Sequence, residues 1–149
     1  MAGTAHNTVK ITGNPVCKEY LSGVTLTVGQ TVQLNSSNQL IASAVAAATY
    51  EGGQMVVTEA PERGKGILTA AGAVNTYVAG ELVPTAAPYQ GCEMLILVLD
   101  GQTITAGGLL EINSAGKAIA AAGSELPAWR ALESLSPSGT DGLIHAQKL

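Results

Sequence analysis

A mainly β protein, a small β-barrel or sandwich with a duplicated β-unit and one or two short helices, is the fold class this sequence predicts. Residues 23–44 (GVTLTVGQTVQLNSSNQLIASA) and 101–122 (GQTITAGGLLEINSAGKAIAAA) superpose without a gap. Most apolar residues recur with a period of two, as in strands that wet one face. Gly, Pro and Asn/Ser clusters, including 18 Gly, interrupt these runs before a helix could complete more than about two turns.

Each element follows from local chemistry. Thr8 to Thr12 alternates like an edge strand, whereas residues 1–7 are small and polar and lack a core anchor, so the chain divides into an arm (1–12) and a single β-rich domain (13–149). Val24, Leu26 and Val28 oppose Thr25 and Thr27 on a strand, and Gly29-Gln30 then supplies a residue that tolerates positive φ for a tight reversal. A second strand spans 31–34. Asn35-Ser36-Ser37-Asn38 closes the next turn by bonding its own backbone, and a third strand starts at Leu40-Ile41. The second copy repeats this plan through Gly107-Gly108, a strand at 109–112, the turn Asn113-Ser114-Ala115-Gly116, and a strand from Ala118.

Outside the repeat, strands are expected at 55–58, 67–70, 75–78, 81–83, 94–99 and 143–147. The 94–99 run is continuously apolar, which marks a strand buried on both faces. Two segments compete for helix. Ala42 to Ala48 has the propensity for two turns, and 126–135 reads either as a helix entered at Ser124/Pro127 or as a strand in which Trp129, Ala131 and Glu133 alternate with Arg130 and Leu132.

Charged residues make up 12% of the 149-residue chain, about half the ~25% of an ordinary soluble protein. So little charge leaves a lone subunit poorly covered, and the Ala-rich segments bury little area each; both point to self-association or a protein partner. The net charge of −4 argues against nucleic acid, since the few basic residues are scattered and have no aromatic ladder beside them. Its longest apolar run, 94–99, falls short of the roughly 20 residues a spanning helix needs, and the start MAGTAHNTV carries no secretion signal, so no membrane partner and cytoplasmic synthesis are expected.

Reactive groups do not assemble into a motif. The two histidines, His6 and His145, sit near opposite ends of the chain, and the carboxylates Glu51, Glu59, Glu62, Glu81, Glu93, Asp100, Glu111 and Asp141 share no spacing that demands proximity. Metal-ligand clusters and phosphate or dinucleotide fingerprints are missing from the pattern. The expectation is no catalytic residue, no metal, no cofactor and no enzyme activity. The 62–66 turn (ERGKG) reads as a solvated loop tip rather than an anion site. Cys17 and Cys92 read as reduced thiols or, outside a reducing cell, as a disulfide within or between subunits.

The phrases VGQTVQLNS (28–36), GKGIL (64–68) and VAGELV (78–83), and the ending Ala128-Trp129-Arg130-Ala131-Leu132-Glu133 with Gly139, Gly142-Leu143-Ile144 and Leu149, resemble the head decoration, or capsid cement, proteins of tailed bacteriophages. That resemblance implies a virion component made in the host cytoplasm. It would bind the major capsid protein on the outside of the expanded shell, as a homo-oligomer that is commonly a trimer and in some relatives a dimer. The chain is longer than the shortest members and carries the duplication, which leaves the stoichiometry open.

Such a protein would clamp neighbouring capsid subunits against internal DNA pressure through several modest contacts held by one oligomer. Thr4, His6, Asn7, Val9 and Ile11 are the candidate capsid-contact residues, on an arm that adds a strand to the shell protein. The alternative is that 8–12 is an ordinary first strand. Two other functions fit the composition: a tail or tail-tube component, and a carbohydrate-binding β module using Tyr20, Tyr50, Tyr77, Tyr89 or Trp129.

Overall fold

The computed structural model describes residues 9–13, 15–43, 55–65, 76–123 and 127–149. Alternation becomes strand nearly everywhere in them: β1 (Lys10–Thr12), β2 (Val16–Leu21), β3 (Leu26–Thr27), β4 (Thr31–Leu34), β5 (Leu40–Ala42), β6 (Met55–Val57), β7 (Thr76–Tyr77), β8 (Leu82–Ala87), β9 (Glu93–Val98), β10 (Leu109–Ile112), β11 (Ala118–Ala120), β12 (Trp129–Ala131) and β13 (Gly142–Lys148). The sole helical element among the described residues is a 3-10 turn at Pro61–Arg63. The helical alternative for 126–135 is therefore overturned at β12, where Trp129 and Ala131 are buried and Arg130 is exposed. Alternation won over helix propensity there because β12 lies between β10 and β13, both of which offer backbone partners. Of the predicted Ala42 to Ala48 helix, Ala42 belongs to β5 and the remainder lies outside the described residues, as does the strand expected at 67–70.

The repeat sets the architecture. β4 and β5 pair antiparallel, as do β10 and β11, and these strands occupy matching positions of the two copies. In each copy the Asn carboxamide organises the turn: Asn35 Oδ1 accepts from the N–H groups of Ser37 (2.9 Å) and Gln39 (3.0 Å). Asn113 Oδ1 does the same for Ala115 (2.9 Å) and Lys117 (3.0 Å).

The duplication extends well beyond the stretch visible in the sequence. The strand order β2-β8-β6-β4-β5 of one sheet is matched by β9-β13-β12-β10-β11 in the other. The second set closes into a five-stranded barrel through a parallel pairing of Ala118 with Val98, and in the first set Ser22 bridges Leu40, also parallel, at the equivalent point. Even the β3–β7 pair, Leu26 with Tyr77, has its counterpart in the bridge between Ile104 and Leu135.

The two barrels share one contiguous apolar core that includes Leu26, Val32, Val57 and Val83 from the first and Ile96, Leu110, Trp129 and Ile144 from the second. Strand β9 runs through the middle, with Met94 to Val98 all buried, as its unbroken apolar run predicts. One edge of β9 bonds β13. The other is shared by three segments: Leu95 N donates to Val9 O (2.8 Å), Leu97 N to Gly29 O (2.8 Å) and Leu99 N to Ala118 O (3.0 Å).

The Gly29 contact is the joint between barrels. Gly29 has φ +85°, and a Cβ there would strike Leu143 Cδ2. Beside it, Thr31 N donates to Gly116 O (2.8 Å), and the buried Gln30 side chain donates from Nε2 to Ala115 O (2.7 Å) while its Oε1 accepts from Thr27 N (2.8 Å). Both ends of one amide are thus satisfied, one within the turn and one across the junction, as burial requires.

Candidate interaction surfaces

Thr4, His6 and Asn7 lie outside the described residues. Val9 is fully buried in the common core and its N–H donates to Glu59 Oε2 (2.8 Å). Ile11 lies in β1, whose Lys10 and Thr12 register with Met94 and Glu93 of β9. From Val9 onward the arm is thus a first strand of the domain, which corrects the expectation that Val9 fills a pocket in another protein. The apolar residue that alternation marked for a partner is consumed by the chain's own core.

Cys17 lies on the exposed strand β2, and Cys92 is buried just ahead of β9. Cys17 thus belongs to the first barrel's sheet, and Cys92 immediately precedes the central strand of the second's. His145 Nε2 meets Glu93 Oε2 (2.8 Å) across the β9–β13 ladder, and its backbone N–H donates to Glu133 Oε1 (2.8 Å). This imidazole ties strands together. Among the described residues no group of three or more His, Cys, Asp or Glu side chains is placed to hold a metal ion.

The basic loop is neutralised from within. Arg63 pairs with Glu19 (2.9 Å) and donates to Leu82 O, and Lys65 Nζ donates to Thr76 O (2.7 Å) with Glu81 nearby (3.5 Å). These partners leave little cationic character for an anion, but Lys65 is folded against the domain, its side chain 15% exposed, which corrects the expectation of a solvated tip there. An exposed pair such as Arg63–Glu19 adds at most about 1 kcal/mol.

Among the described residues, two apolar surfaces lie on the first barrel. One is a cleft of about 250 Å³ lined by Val16, Lys18, Tyr20, Leu34, Met55, Thr85 and Ala87. By strand register, Met55 opposite Val32 corresponds to Trp129 opposite Leu110, so the indole that plugs the second barrel is a slimmer thioether in the first. Tyr20 is the one aromatic residue on the cleft wall, which offers no extended platform for stacking a sugar.

The other surface is built by Leu21 and Leu82, directly paired across β2 and β8 and 50% and 42% exposed. Their counterparts, Leu97 and Leu143, are the residues against which the Gly29 turn is seated. Close to them, the turn at 78–81 is held to Ser22 by two backbone bonds, and Val24 and Val78 are also exposed. On the second barrel, the Gly107 turn has φ +84° with nothing within 4 Å of where a Cβ would lie, and the adjoining Leu109 is 43% exposed. Thr31, its counterpart, is 1% exposed.

These surfaces escaped the sequence reading, yet a signal was there. At three positions where the copies disagree around the turns, Gln30/Gly108, Thr31/Leu109 and Asn38/Gly116, one member belongs to the junction and the other does not.

No family model matches the chain, and no curated protein matches it. A solved structure does: the head fiber gp8.5 N base of bacteriophage phi29 aligns with a TM-score of 0.57 and 13% identity, covering 91% of this chain and 98% of that one. At that identity the likeness is one of fold, and it spans both barrels.

Proposed function

We propose that this protein is a bacteriophage head decoration protein that binds the exterior of the expanded capsid, as a homo-oligomer, and clamps neighbouring capsid subunits against internal pressure. One observation carries the reading: the two-barrel fold, over nearly its whole length, is like that of the base of a phage head fibre. The charge-poor composition and the apolar surfaces of the first barrel support it, because clamping needs contact area and several attachment points, not reactive groups. The major capsid protein is the partner, and a trimer is the stoichiometry under which three weak patches act as one.

The test is to mix purified protein with expanded capsids that lack it and to image them by electron microscopy. Ordered protrusions at repeated lattice positions, together with capsids that open at higher temperature than bare ones, are the expected outcome. Capsids that stay smooth at saturating protein would overturn the reading.

A further inference from the structure

We propose that copies of this protein join head to tail, the Gly107 turn of one copy docking on the Leu21–Leu82 surface of the next. The contact repeats, between chains, the joint that already links the two barrels within a chain. The inference rests on the internal duplication and does not depend on the capsid reading.

The intramolecular joint has two halves. Its turn side is Gly29-Gln30-Thr31 of the first barrel, and its face side is Leu97, Leu143 and the 115–116 turn of the second. Because the barrels are copies, each half exists twice, and only one of each is used internally. The unused turn is Gly107-Gly108-Leu109 and the unused face is Leu21, Leu82 and the 37–38 turn. Among the described residues neither is engaged as its counterpart in the joint is, and both expose leucine side chains. Backbone groups correspond as well: the bond from Leu97 N to Gly29 O becomes one from Leu21 N to Gly107 O, and that from Thr31 N to Gly116 O becomes one from Leu109 N to Asn38 O.

Side-chain volume has moved from one partner to the other. In the joint, Gln30 on the turn side carries an amide over Gly116, where a Cβ would strike Thr31 O. At the free ends the turn side is Gly108 and the face side is Asn38, again one glycine against one amide. Asn38 needs room that Gly116 does not, so the intermolecular contact is a shifted relative of the internal one at that corner.

A second copy is favoured over another occupant because the template for the contact is present in this chain. A turn-on-face contact is heterologous and leaves one turn and one face free at the ends of any short chain of copies, closing only as a ring.

The experiment uses the full chain and two exposed positions, so folding is preserved and is checked by circular dichroism. L82E blocks the face and L109E blocks the turn. Light scattering is expected to show wild type as an oligomer, each variant alone as a 15.0 kDa monomer, and an equimolar mixture as a 1:1 pair, joined by the one intact turn and the one intact face. The double variant stays monomeric and pairs with neither. A monomeric wild type, variants that keep the wild-type assembly, or a mixture that stays monomeric would each overturn the proposal.

Discussion

At Gly29 and Gly107 the same residue type answers two different demands. Both sit in the left-handed region, where an L side chain costs about 1–2 kcal/mol. Gly107 demands only that. Gly29 must in addition leave room for Leu143 and the β9 backbone, so a methyl group there also overpacks the joint, by a further ~1–3 kcal/mol. Gly29→Ala is accordingly expected to cost roughly twice as much stability as Gly107→Ala in urea denaturation, and equal costs would show that the joint yields freely.

Tyr77 makes a pH-dependent contribution. Its hydroxyl donates to Thr58 O (2.8 Å) in the core, and burial, reinforced by Glu59, Glu62 and Glu81 and opposed by Arg63, pushes its pKa well above the ordinary tyrosine range. A raised folded-state pKa gives stability that is complete below the unfolded value, near 10, and is lost as pH rises beyond it. A phenylalanine at this position cannot ionise in either state. The stability advantage of wild type over Tyr77→Phe is expected to hold flat from pH 7 to 9 and to shrink above pH 10, as read from denaturation midpoints.

Among the elements, β12 shows how register ranks equivalent positions. Trp129 is 1% exposed and fills the second barrel, with Lys148 Nζ 5.8 Å from the ring centre. Met55 does the same duty at the mouth of the cleft in the first barrel. Trp129→Ala should cost ~3–5 kcal/mol, the range for large aromatic truncations, and Met55→Ala about 2, the lower end for Met, since the open cleft lets water replace the lost side chain. Calorimetry that ranked them the other way would mean the cleft mouth is the better packed of the two.

Strand β9 and segment 126–135 mark what elements reveal in advance. An unbroken apolar run has one stable place, the middle of a sheet covered on both faces, and β9 lies there. Alternation in 128–131 and helix propensity in the surrounding Leu, Ala and Glu residues are both local properties of comparable size. Only the backbone partners offered by β10 and β13 decided between them. Val9 misled for a related reason: an apolar residue on an alternating strand needs cover, but the pattern does not say whose.

Across the whole molecule, the sequence determined the β class, the two copies of the hairpin with its Asn-organised turn, and the poverty of charge. Those are properties of short segments, set by side-chain alternation and by glycine and asparagine at turns. That the copies are entire five-stranded barrels was decided only in three dimensions. Strands β2, β6 and β8 match β9, β12 and β13 by hydrogen-bond register with little likeness of residues, and the connections between them differ in length, which breaks any continuous alignment. The joint at Gly29, the burial of Val9 and the exposure of Leu21, Leu82 and Leu109 follow from packing one barrel on the other. Such contacts are made between residues far apart along the chain, where no local pattern records them.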